Sequence, residues 1–136
     1  MIEYKKPLPC PNSDTKEFWD GAKRHKLVIQ KCLNCGGYRY PPSPICPNCF
    51  STDFTREKVS GKGEVYSFTI VRVAVRPEWM SDVPYALAAI KLDEDVRMVS
   101  TIIDCKPDDV KIGMRVQVVF DDVTEQFTIP KFKPVI

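Results

Sequence analysis

Residues 32–49 read Cys-Leu-Asn-Cys-Gly-Gly-Tyr-Arg-Tyr-Pro-Pro-Ser-Pro-Ile-Cys-Pro-Asn-Cys, two Cys-x-x-Cys pairs with ten residues between them. The short step within each pair lets both sulfurs converge on one ion while the backbone turns beneath them. Two facing knuckles then offer four thiolates, the number and geometry that a tetrahedral Zn²⁺ takes. Cys32, Cys35, Cys46 and Cys49 are therefore expected to hold one metal ion. Four thiolates leave no coordination position open to water or substrate, whereas a catalytic zinc keeps one, so a structural ion is expected.

Working outward, residues 27–31 read as a strand into the first knuckle, 38–40 as its return, and 53–59 as the strand leaving the second. Together they make a three-stranded zinc ribbon. So small a unit buries too little apolar surface to hold itself, and metal binding contributes directly to its folding. Pro41, Pro42 and Pro44 form a stiff connector across the metal site. With Gly36 after Cys35 and Pro47 inside the second pair, the knuckles resemble those of rubredoxin, whose ligand set also holds iron and passes electrons. Zinc and iron both stay open. Phe50 stands where such a knuckle usually has Gly, which eases a left-handed turn, so an irregular second knuckle is expected.

Upstream, Pro7, Pro9 and Pro11 mark a lead, after which Ser13 or Asp14 is expected to cap a helix of about three turns, with Glu17 completing the capping pattern. Phe18, Trp19 and Ala22 give it an apolar side. Lys23, Arg24, His25 and Lys26 sit at its C-terminal end, where cations offset the helix dipole; a phosphate contact is the alternative. His25, the only histidine, has no partner visible in the sequence.

Downstream of Gly61-Lys62-Gly63 the composition turns to β-branched and aromatic runs. Strands are expected over 64–75, 85–92, 96–104, 115–120 and around 127–129, with a hairpin turn at 93–95 and a helical turn at 107–111 stopped by Gly113. Five strands with a helical insert after the third is the layout of an OB-fold barrel. The loop over 76–84 carries Trp79 and Met80 among prolines, either to plug the barrel mouth or to meet a partner. The prolines of the closing segment predict an edge strand or docked arm there. The chain thus reads as mainly β in three parts: a Pro-rich lead and helix over 1–26, a rubredoxin-like zinc ribbon over 27–60, and an OB-fold barrel with a C-terminal arm over 61–136.

A formal net charge of +2 over 136 residues demands no polyanionic partner. Six cysteines could pair, yet residues 1–9 are polar and Pro-rich with no apolar leader segment, so the thiols are read as reduced and the setting as cytoplasmic. The apolar runs 65–75 and 85–92 are short and interrupted by Arg72 and Lys91, so no membrane partner is expected. Cys10 and Cys105 stand alone, without a neighbouring base, and read as simple small side chains.

In order, the chain shows Phe18-Trp19, a basic turn, Leu27-Val28-Ile29-Gln30-Lys31-Cys32, the first knuckle, Tyr40-Pro41-Pro42, Cys46-Pro47-x-Cys49 and Gly61-x-Gly63-x-Val65-Tyr66. Pro84-Tyr85, Ile112-Gly113-Met114-x-Val116 and Ile129-Pro130-x-Phe132-x-Pro134 follow. This order resembles, over nearly the whole chain, the zinc-ribbon plus OB-fold proteins long catalogued as a domain of unknown function and now regarded as acyl-CoA-associated. The resemblance implies a non-catalytic, acyl-CoA-binding scaffold subunit for a thiolase-like or other CoA-thioester enzyme; some members bridge an acetoacetyl-CoA thiolase-type enzyme and a hydroxymethylglutaryl-CoA synthase. For such a role Lys23, Arg24 and Arg39 could meet CoA phosphates, and Trp19, Tyr40 and Tyr66 could wall the pantetheine arm. Nucleic-acid binding, which both ribbons and OB barrels support, is the alternative; the acidic stretches at 93–95 and 121–122 oppose it. A rubredoxin-like electron carrier is the third reading.

Overall fold

The computed structural model describes residues 4–135. One helix, α1 (Lys16–Lys23), precedes a three-stranded sheet of β1 (Val28–Cys32), β2 (Tyr38–Arg39) and β3 (Phe54–Lys58) in the order β2-β1-β3. A closed barrel follows: β4 (Lys62–Val71), β5 (Tyr85–Leu92), β6 (Arg97–Ile102), β7 (Arg115–Asp122) and β8 (Thr128–Pro134), in the order β4-β5-β6-β8-β7. Short 3₁₀ turns at Pro77–Trp79 and Pro107–Asp109 lie in the β4–β5 and β6–β7 connections. The architecture is the mainly β, zinc-ribbon and five-stranded OB-fold arrangement expected from the sequence.

The core is continuous from helix to ribbon to barrel. Phe18 of α1 and Leu27, Ile29 and Val59 at the base of the ribbon join the inward residues Val65, Ile90, Met98, Val116 and Phe132 in one buried cluster. Cross-strand pairing aligns that inward face: Val65 opposes Ile90, Ile90 opposes Met98, and Val118 opposes Phe132. Period-two alternation in β5 places Ala86, Ala88, Ile90 and Leu92 inside.

Three local readings change. The helix is eight residues long rather than three turns, and its N-cap is Thr15, without a side-chain capping bond, rather than Ser13 or Asp14. The Asn12 side-chain oxygen accepts from the backbone N–H groups of Asp14 and Thr15 at 2.9 and 3.0 Å, while the Thr15 hydroxyl accepts from the Asn12 N–H at 3.0 Å. These reciprocal bonds close the turn over residues 12–15 that leads into the helix. The first barrel strand stops at Val71, short of 75.

The third change concerns β8, a full barrel strand rather than an edge or arm. It runs antiparallel to β7 from Val116↔Pro134 to Asp122↔Thr128 and touches β6 through a single parallel pair, Ile102↔Phe132. In a strand, each residue's N–H and C=O point to the same side. The Phe132 carbonyl accepts from Ile103 N–H on the β6 side at 2.7 Å, so the missing N–H groups of Pro130 and Pro134 face that sparsely paired side. Lys131 and Lys133 carry the ladder to β7.

Gly63 sits where β4 is flanked by both β5 and β7, opposite Leu92 and Val116. A Cβ there would collide with the Lys91 carbonyl and come within 2.9 Å of Leu92 Cα, both backbone atoms that cannot yield cheaply. Gly63→Ala is expected to destabilise the barrel by about 1–3 kcal/mol in denaturant titration.

Candidate functional site

The two knuckles are built alike. Cys32 N–H donates to the Gly37 carbonyl at 2.8 Å and Cys46 N–H to the Ser51 carbonyl at 2.9 Å; Gly36 and Phe50 N–H groups return to the Cys32 and Cys46 carbonyls at 3.0 and 2.9 Å. Gly36 takes φ 78° and Phe50 takes φ 63°. The second knuckle is therefore regular, correcting the expected irregularity: Phe50 adopts the left-handed turn and turns its ring to solvent, 77% exposed.

These turns gather the sulfurs of Cys32, Cys35, Cys46 and Cys49 within 4.8 Å of one another. Cys32 and Cys49 Sγ are 3.6 Å apart, and Cys35 and Cys46 Sγ 3.7 Å. A regular tetrahedron with metal–sulfur bonds of about 2.3 Å has edges of about 3.8 Å. The donor set thus fits a closed, structural zinc site. Backbone N–H groups of Cys35 and Cys49 lower the pKa of Cys32 and Cys46 respectively, and the Asn34 side chain does the same for Cys49. At Cys35 the Gly37 N–H favours the thiolate, but the crowding sulfurs of Cys32 and Cys46 outweigh it and push the thiol up to about 11. Four adjacent thiolates call for a cation.

A second feature is a groove of about 640 Å³ between the lead, α1, the β4–β5 loop and strands β6 and β8. Trp19, Tyr40, Trp79 and Tyr85 line it, with Lys6 and Lys131. Phe18 organises one wall, its ring centroid 5.0 Å from Trp19 and 5.4 Å from Tyr40. Burial alone raises the Tyr40 pKa, so the phenol stays protonated.

Of the residues proposed from sequence as CoA contacts, Trp19 and Tyr40 meet in this groove, and Lys23 and Arg24 lie exposed at the C-terminal end of α1. Arg39 requires correction. It is 5% exposed, stacked 4.6 Å from the Phe54 ring centroid, and its Nε donates to Gln30 Oε1 at 2.8 Å. Its Nη2 donates to the Ser43 carbonyl at 2.7 Å, which fastens the proline connector and leaves no route to a phosphate. Tyr66 lies on the outside of the barrel beneath Arg97, 4.6 Å from its ring centroid, and does not line the groove. Trp79 and Tyr85 were visible only as an unusual loop and its exit, and Lys6 and Lys131 gave no sequence signal. Trp79 folds into the groove while Met80 stays exposed.

Comparison with known proteins places the chain. The ChsH2 rubredoxin-like zinc ribbon domain matches residues 19–55, and the ChsH2 C-terminal OB-fold domain matches residues 56–121. A DUF35 domain-containing scaffold protein of Methanocaldococcus jannaschii is 42% identical over 104 residues, 76% of this chain and 73% of that protein. The chain belongs to the DUF35 family. A probable enoyl-CoA hydratase alpha subunit of Thermomonospora curvata is 34% identical over 131 residues, and this DUF35 chain spans only 40% of its length. Among solved structures, the Ltp2-ChsH2(DUF35) aldolase superposes with a TM-score of 0.84 at 33% identity, over 95% of this DUF35 chain and 100% of that chain. Among the described residues no helix is long and apolar enough to cross a membrane.

Two outcomes follow from the knuckles. Cys46→Ser should abolish stoichiometric zinc retention and the cooperative melting of the ribbon, read by metal analysis and circular dichroism. Phe50→Gly should stabilise the zinc-loaded protein by about 1 kcal/mol, because the left-handed penalty of a side-chain-bearing residue exceeds the entropy that glycine forfeits.

Proposed function

We propose that this chain is a non-catalytic, acyl-CoA-binding scaffold subunit that works beside a CoA-thioester enzyme. The observation that carries this reading is the aromatic groove lined by Trp19 and Tyr40, with exposed cations at Lys23 and Arg24 at the C-terminal end of the helix that carries Trp19. Apolar clefts of roughly 300–1,000 Å³ with a few placed polar groups are the usual form of a small-molecule site. The groove walls suit a pantetheine arm with its acyl group, and the cations suit phosphates.

The metal supports a structural role, since four thiolates around zinc leave no position at which a substrate could be polarised. The names of the relatives point the same way: scaffold proteins in Methanocaldococcus jannaschii, a hydratase subunit in Thermomonospora curvata, and an aldolase assembly among solved structures. The partner we propose is a thiolase-like, hydratase-like or aldolase-like enzyme. A bridge between an acetoacetyl-CoA thiolase and a hydroxymethylglutaryl-CoA synthase is the most specific form of the idea, and the cytoplasm is its proposed setting.

Gentle affinity purification of the tagged protein from its host, followed by mass spectrometry, tests the partnership. Stoichiometric recovery of a CoA-thioester enzyme is expected. Recovery instead of nuclease-sensitive ribosomal or transcription components would overturn the proposal in favour of nucleic-acid binding.

A further inference from the structure

The strand character of β4 outlasts the strand. Val71 is its last paired residue, opposite Tyr85, yet the chain goes on as Arg72-Val73-Ala74-Val75-Arg76, with the β-branched, alternating pattern unbroken. That segment has no neighbour to pair with, because β5 begins at Tyr85 and the intervening chain turns back through the 3₁₀ turn at Pro77–Trp79. Among the described residues, Val73, Ala74 and Val75 join no ladder, and their N–H and C=O groups make no other backbone hydrogen bond.

The two halves of the β4–β5 loop behave differently. The later half is seated: Trp79 and Asp82 line the groove, and Asp82 holds Lys6 at 2.7 Å. The earlier half stands off the protein, with Val73 77% and Val75 96% exposed and only Ala74, between them, half-buried. Valine side chains in water and unpaired backbone add nothing to the stability of the barrel. They are what a strand presents before its neighbour arrives.

The flanking charges say which neighbour. Arg72 and Arg76 bracket the valines, and each meets an acid through a single nitrogen, Asp108 at 3.2 Å and Glu78 at 3.1 Å. Both arginine side chains are more than half exposed, so these pairs are weak and exchange readily for others. A second copy of the chain is the wrong neighbour. Antiparallel pairing about Ala74 would set Arg72 opposite Arg76 at both ends, and parallel pairing would set each arginine beside its own copy. An extended segment with apolar residues at its centre and a carboxylate at each end meets both valines and both arginines.

On the reading that this chain is a scaffold beside another enzyme, we propose that residues 72–76 are its docking strand, to which an extended, acid-flanked apolar segment on the partner enzyme adds by β-pairing. The free backbone groups of residues 73–75 supply the ladder. Val73 and Val75 cover the apolar centre of the added segment, and Arg72 and Arg76 select its carboxylates.

Hydrogen exchange and calorimetric titration of the zinc-loaded full chain test this, with the CoA-thioester enzyme that co-purifies with it as the probe. The amides of residues 72–76 are expected to exchange freely in the chain alone and to slow about ten-fold or more in the complex. The Val73→Asp/Val75→Asp variant should keep its zinc and its melting temperature, since both side chains are exposed in the free chain, and bind the enzyme at least about ten-fold more weakly. Arg72→Glu/Arg76→Glu should weaken binding about three- to ten-fold and remove its sensitivity to salt. Unslowed amides, or an enzyme complex as tight with the valine variant as with the wild type, would overturn the docking strand and leave the scaffold reading standing. Self-association of the wild type that the valine variant abolishes would overturn the choice of neighbour in favour of a second copy. A wild-type chain that binds no CoA-thioester enzyme would overturn the scaffold reading, and the docking strand with it.

Discussion

Everything in this molecule depends on four sulfurs being held around one point. The ribbon strands cannot do that work alone, since β2 has two residues and its sheet pairs only Gln30 with Arg39 and Lys31 with Tyr38 on that side. Closing the knuckles fixes the register of β1 against β2 and β3. That in turn presents Leu27, Ile29 and Val59 to the shared core. It also fixes Arg39, whose guanidinium reaches across to Gln30 and Ser43 and ties down the proline connector. Tyr40 immediately precedes that connector and faces the groove. The metal therefore acts on the groove at a distance, through a buried arginine that needs the ribbon's register in order to be satisfied.

The Arg39 arrangement shows the cost of such coupling. A buried cation without a carboxylate relies on neutral acceptors, and among the described residues Arg39 Nη1 and Gln30 Nε2 have no hydrogen-bond partner. Each unpaired buried donor costs on the order of 1–3 kcal/mol. Stacking on Phe54 and three bonds to Gln30 and Ser43 offset part of it. A leucine at this position would be easier to bury, but it would leave the connector unfastened and Tyr40 unplaced.

What the sequence made legible was local chemistry. Ligand spacing identified the metal cysteines, and alternation identified the strands, because both are written within a few residues. Proline in the closing segment misled for the same reason: the missing N–H is a local fact, but which neighbour it faces is not, and β8 turns it toward β6, where pairing is almost absent. Arg39 looked like an available cation because burial is invisible in a two-residue strand. The groove was half legible. It is assembled from segments as far apart as Lys6, Tyr40, Tyr85 and Lys131, and no periodicity reports such a meeting.

The helix that walls the groove is too short to persist on its own, so its position is a matter of docking. Two contacts compete for that credit. His25, in a left-handed turn at φ 59°, stacks on Phe120 at 5.3 Å and bonds both oxygens of Asp122 at 2.9 and 3.0 Å, with Thr128 donating to the same carboxylate. The His25 and Asp122 side chains are both more than half exposed, which limits such a contact to about 0–1 kcal/mol. Burial of Phe18 is worth about 1.5–3 kcal/mol and also sets the faces of Trp19 and Tyr40. Apolar docking thus holds the wall, and His25 trims its end. The basic residues beside His25 stay exposed, and Lys23, in the last turn of α1, offsets the helix dipole without adding to the apolar docking that holds the wall.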